Sequence, residues 1–206
     1  MGDMRSRKKS SRSFWVELPI LVLVAVLVAV VVRTFLVQTF YIPSESMERT
    51  LLINDRVLVN KVVYDLRDPK RGEIVVFEPP ANWAAGPGKD DYIKRVIGVG
   101  GDRVVCCDSA GRLTVNGHPL DEKYIFDGNK PSDLPFDVTV PKGRIFVMGD
   151  HRAASADSRV HLDFDNGTVP LDRVVGRAFV IFWPMDRAGA LSAPEIFEDV
   201  PAPQKG

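Results

Sequence analysis

Ser46 lies in the run Pro43-Ser44-Glu45-Ser46-Met47 and is a candidate nucleophile for acyl transfer. A serine hydroxyl attacks a carbonyl only when a base takes its proton. Histidine is the usual base, and the chain has 3 of them: His118, His151 and His161. The Gly-x-Ser-x-Gly elbow of lipase-type hydrolases is absent. His151 stands beside Asp150, but adjacency in sequence is not the geometry of a triad. Lysine is the other candidate base. It must be neutral to accept a proton, which calls for burial in apolar surroundings that lowers its pKa. Lys94 has that setting, in the run Asp91-Tyr92-Ile93-Lys94-Arg95-Val96-Ile97-Gly98. In a strand, Lys94 shares a face with Tyr92 and Val96. A lysine on the wet face of a half-exposed strand is the plainer reading of that run taken alone. A third polar segment, from Gly149 to Arg159, carries Asp150, Ser155 and Asp157. No Cys/His spacing resembles a metal site, and neither metal nor cofactor is expected. Cys106 and Cys107 are adjacent, with Cα atoms about 3.8 Å apart, closer than ordinary disulfide geometry favours. Two free thiols and a strained vicinal bond both fit.

These residues need a scaffold, and the chain supplies two unlike parts. Leu18 to Val32 is a continuous apolar run, and the flanks Phe14-Trp15-Val16 and Phe35-Leu36-Val37 bring it to the roughly 20 residues a membrane-spanning helix needs. Glu17 and Arg33 fall near its ends, and Trp15, Phe35, Phe40 and Tyr41 suit interfacial positions. Arg5, Arg7, Lys8, Lys9 and Arg12 precede it, which predicts an N-terminus held in the cytoplasm. No small-x-small cleavage site follows the run, so an uncleaved anchor is favoured over a removable signal peptide. The formal net charge is zero and no basic stripe exists beyond that flank, which argues against nucleic-acid binding.

After Tyr41 the pattern shortens to alternating segments. Strands are predicted at Arg56–Val59, Glu73–Phe77, Tyr92–Ile97, Arg103–Cys106, Arg112–Val115, Phe136–Val140, Arg144–Met148 and Val174–Phe182. Asn116-Gly117 is a hairpin signal and Pro141-Lys142-Gly143 a second turn. Glu78 to Asp90 reads as a surface loop that includes Trp83. The tail after Asp186 is rich in Ala, Pro and acids and reads as disordered. The expected fold is mainly β: one transmembrane helix, then a mostly antiparallel ectodomain.

The apolar anchor, Pro43–Met47, Tyr92–Arg95 and Gly149–Arg159, in this order, resemble the bacterial type I signal peptidases, membrane-anchored Ser/Lys proteases. The resemblance runs from the anchor to about Trp183-Pro184. It implies Ser46 as nucleophile, Lys94 as general base, and an oxyanion site made by the Ser44 hydroxyl and the Ser46 N–H. It implies that Ser155 orients the lysine amine, that Asp150 pairs with Arg95, and that Asp157 pairs with Arg159. It also implies a basic cytoplasmic flank (1–13), an anchor (14–37), a catalytic β domain split into 38–103 and 142–187, a small inserted β lobe (104–141) and a tail (188–206). The implied function is removal of signal peptides from exported preproteins on the outer face of the cell membrane. Preproteins and the lipid bilayer are the expected partners, and the export machinery is a candidate one. An anchored, non-enzymatic β module that binds exported chains and a self-cleaving Ser/Lys protease are the alternatives. The chain departs from the family at Arg49 and Gly100, where proline is usual, and at His151, Ala153 and Ala154, commonly Asn, Asp and Asn.

Overall fold

The computed structural model describes residues 12–31, 36–83 and 91–203. Helix α1, Arg12–Val31, takes up the apolar run, with Pro19 inside it. Val16, Leu21, Leu23 and Leu27 on this helix are exposed. Among the described residues no helix is long and apolar enough to cross a membrane. Arg5 to Lys9, Arg33 and Phe35 lie outside the described residues.

The body is built from antiparallel pairs. Strand β1, Val37–Tyr41, pairs with β2, Arg56–Asn60. The anchor expectation ended at Val37, but Val37, Thr39 and Tyr41 are strand-favouring types and β2 satisfies their backbone. Phe40 packs against the core, not at a lipid interface. A single helical turn, α2 (Val63–Leu66), leads to β3, Ile74–Phe77, which is buried throughout. Next come β4 (Tyr92–Val99) and β5 (Arg103–Cys106). The hairpin of β6 (Thr114–Val115) and β7 (His118–Pro119) turns at Asn116 and Gly117, whose φ values of 54° and 80° suit a tight hairpin turn. Strands β8 (Phe136–Thr139), β9 (Arg144–Met148), β10 (Val169–Pro170), β11 (Val174–Trp183) and β12 (Gly189–Ala190) complete the chain.

The larger sheet has the order β1-β2-β11-β3-β4-β9-β10, with β12 on β11. The smaller sheet, β7-β6-β5-β8, is inserted in sequence between β4 and β9. The Pro141–Gly143 turn therefore carries the chain from one sheet to the other and does not close a hairpin. Cys106 and Cys107 are joined by a disulfide.

Two expectations are corrected. The tail is ordered through Pro203: β12 extends the sheet, and Phe197 and Val200 enter the same core cluster as Leu113, Phe136 and Phe146. Arg71 donates to the carbonyls of Val200 and Pro201, each at 3.1 Å, and Asn116 Nδ2 donates to Pro201 O at 2.9 Å. Composition misses this because two apolar side chains and two matched carbonyls outweigh an otherwise polar stretch. Trp83 is also not a surface residue. It packs on Phe77 edge-on and stacks on His161 at 4.4 Å, so it is unavailable to a bilayer.

Candidate active site

Ser46 sits on a tight turn after β1, held by Glu48 N donating to Glu45 O and Leu51 N to Met47 O, both at 2.8 Å. Met47 and Leu51 fix this turn by entering the core beneath it. The Ser46 carbonyl accepts from His151 N at 3.1 Å, which ties the turn to the loop after β9. Lys94 comes from β4, opposite Val75 of β3. Its Nζ lies 2.8 Å from Ser46 Oγ and 3.0 Å from Ile93 O. Lys94 is 5% exposed and Ser46 6%.

Burial dominates the electrostatics of Lys94. It pushes the pKa from 10.5 down to about 8, against the opposing pull of Asp157 and Asp150. An amine in this range is neutral often enough near pH 8 to serve as a base. Once neutral, Nζ can accept the hydroxyl proton across the same 2.8 Å contact.

The surrounding charges are paired and out of water. Arg95 forms a two-pronged pair with Asp150, at 2.8 and 2.6 Å, and donates to Gly72 O at 2.8 Å. Asp150 also accepts from Thr50 Oγ1 at 2.5 Å. Asp157 accepts from Arg159 Nε and Nη2 at 2.9 and 2.8 Å and from Gly149 N at 2.9 Å. Burial alone would raise the Asp157 pKa; Arg159 and the other donors hold it below the usual carboxylate value. Removing one partner from such a buried pair costs about 3–5 kcal/mol, because the other charge stays in a dry site.

The remaining residues singled out from sequence fall unevenly. Ser44 Oγ is 3.4 Å from Ser46 Oγ, the outer edge of a hydrogen bond. Ser155 Oγ is buried without a well-formed hydrogen bond, so it does not hold the lysine amine here; it lies on the Asp157 side and adds weakly to that carboxyl's low pKa. His118 is half-buried on β7. Gly149 gave no sequence signal of its own, yet a Cβ there would run into the Ser155 side chain and the Ser46 carbonyl. Thr50, Glu122 and Arg152 were also missed. Arg152 pairs with Glu122 in the core and donates to Gly149 O at 2.9 Å. Only the fold, not local spacing, joins residues 122 and 152.

A family model described as signal peptidase, peptidase S26, matches residues 15–183. The chain belongs to the signal peptidase family. Probable signal peptidase I-2 of Synechocystis is 45% identical over 189 residues, 91% of this chain and 83% of that protein. Signal peptidase I of Mycobacterium tuberculosis is 37% identical, over 92% of this chain and 81% of that one. A crystal structure of a signal peptidase I from Enterococcus faecalis aligns with a TM-score of 0.41 at 28% identity, over 54% of this chain and 97% of that one.

Within the signal peptidase family, Arg49 is the departure with the clearest local consequence. Its φ is 84°, a left-handed value that a proline, fixed near −65°, cannot take. Arg49 Nη1 donates to Ile125 O at 2.8 Å and pairs with Asp127 of the inserted segment. At Gly100 a Cβ would approach Lys142 Cα to 3.0 Å, so the chain passes closely at this point.

Proposed function

We propose that this chain is a membrane-bound serine endopeptidase that removes signal peptides from exported preproteins with a Ser46/Lys94 dyad. The observation that carries the reading is the 2.8 Å contact between Ser46 Oγ and a buried Lys94 Nζ. Neutral Lys94 takes the Ser46 proton as Oγ attacks the scissile carbonyl carbon. The negative charge on the carbonyl oxygen is met by the Ser44 hydroxyl and the Ser46 N–H, fixed donors in a partly dry site. As the C–N bond breaks, the Lys94 ammonium returns its proton to the leaving amine, and Ser46 keeps the acyl group. Lys94 then deprotonates a water that hydrolyses the ester. Asp150–Arg95 and Asp157–Arg159 hold the loops around the pair.

The anchor reading rests on α1, whose 20 residues rise roughly 30 Å, and on the basic residues before it. A catalytic domain on the outer face would meet the cleavage site of a preprotein whose own apolar segment lies in the bilayer. The names borne by the relatives support the same substrate class.

The test is cleavage of a purified preprotein by the full chain in detergent. Ser46→Ala and Lys94→Ala should abolish turnover in folded protein, and His151→Ala should keep most of it. The reverse ranking of Lys94 and His151 would mean a Ser/His enzyme.

A further inference from the structure

Ser46 is flanked on its turn by Glu45 and Glu48, and the loop after β9 brings His151 against them. One donor atom from each of Glu45, Glu48 and His151 lies within 4.8 Å of the others. Two segments far apart in sequence supply these groups, and backbone hydrogen bonds fix both: Glu48 N to Glu45 O at 2.8 Å, and His151 N to Ser46 O at 3.1 Å. The imidazole is oriented as well. Phe126 stacks on it at 4.1 Å, with 16° between the rings. Its Nδ1 is buried, makes no hydrogen bond, and lies 3.4 Å from Glu48 Oε2.

An ordinary His–Glu ion pair would place Nδ1–H in hydrogen-bonding geometry with the carboxylate, and that bond is not formed. It would also give Glu45 no reason to converge on the same point. A small cation satisfies all three groups at once. Zn2+ binds imidazole nitrogen and carboxylate oxygen at about 2.0–2.2 Å, which in a tetrahedral site sets ligand atoms roughly 3.3–3.6 Å apart. The 4.8 Å spread needs only a small inward turn of the two glutamate side chains. Three protein ligands leave the fourth tetrahedral position to water. Mg2+ demands octahedral oxygen ligation and gains little from imidazole.

We propose that Glu45, Glu48 and His151 form a binding site for a divalent transition metal of the Zn2+ class, tying the nucleophile turn to the Gly149–Ser155 loop. The site goes beyond the proteolytic reading and does not depend on it. Sequence inspection did not find it because its ligands are about a hundred residues apart and include one histidine where the resembled family commonly has asparagine.

The test is calorimetric titration of the full chain in detergent, stripped with chelator, with ZnCl2 and separately with MgCl2. Wild type should take up one equivalent of Zn2+ and bind Mg2+ at least about ten-fold more weakly. His151→Asn and Glu48→Gln should each weaken Zn2+ binding at least about ten-fold, while His118→Asn leaves it unchanged. Zn2+ should raise the thermal midpoint of wild type by mass action and fail to raise that of the His151→Asn protein. Absence of stoichiometric Zn2+ uptake by wild type overturns the site, as does equal uptake by the His151→Asn and Glu48→Gln proteins. Because binding is read directly, a protein that cleaves preproteins yet ignores Zn2+ discards the metal site alone.

Discussion

Burying Lys94 costs stability whenever it is charged. Its folded pKa of about 8 lies below its unfolded value of 10.5. Between those values the unfolded chain holds the proton and the folded chain does not, so stability rises with pH across that window. Below about 8 both states are protonated and the penalty is complete, about 3 kcal/mol for a shift of this size. Above 10.5 it is gone. Lys94→Met should therefore be more stable than wild type by up to about 3 kcal/mol near pH 6, and the gain should fade from pH 8 upward. Urea unfolding across pH measures this, and a gain independent of pH would show that Lys94 does not titrate in the fold. The same shift requires wild-type turnover to rise with pH through about 8. Lys94→Arg should be inactive at every pH, since guanidinium does not release its proton. The two runs that carry Ser46 and Lys94 were legible as segments of unusual polar type, and the fold brings those two side chains into contact. Gly149 and Thr50 were not legible, because their roles are a steric clearance and a hydrogen bond that exist only once the turn and the loop after β9 are brought together.

Strands announce themselves by alternation, and those with a buried apolar face were the legible elements. Strands β2, β3, β4, β5, β6, β8, β9 and β11 fall on the runs read from the sequence, within a residue or two at their ends. Elements defined by pairing alone were lost. Strands β10 and β12 are two residues each, too short for any period, and β1 was masked by the apolar run before it. The tail was lost for another reason. It has no secondary structure long enough to signal, and it is held by Phe197, Val200 and the carbonyls that Arg71 and Asn116 reach. Phe197 packs directly over Gly72, where a Cβ would come within 2.7 Å of its ring. Phe197→Ala should thus cost about 3–5 kcal/mol, the usual loss for an aromatic side chain deleted from a core. The dyad is untouched by Phe197, so turnover per folded molecule at moderate temperature should stay near wild type. A thermal midpoint within a degree or two of wild type would mean that the tail contributes nothing to the core.

At the scale of the whole molecule, charge and apolar surface are segregated along the chain. The basic flank comes first, then a helix whose described apolar side chains are exposed, then two sheets in which most apolar bulk is internal. Under the positive-inside rule this order predicts an N-terminus in the cytoplasm and the sheets outside. Cysteine labelling tests it cleanly. The chain's two cysteines are joined to each other, so no native thiol competes with an introduced one. Asp133→Cys puts a thiol at a position 78% exposed, far in sequence from the dyad. A membrane-impermeant maleimide should label it in intact spheroplasts. Lys8→Cys, in the basic flank, should react only after permeabilisation. If Asp133→Cys needs permeabilisation and Lys8→Cys does not, the molecule lies the other way round, and the dyad would face the compartment in which preproteins are made, on the wrong side for cleaving them after export.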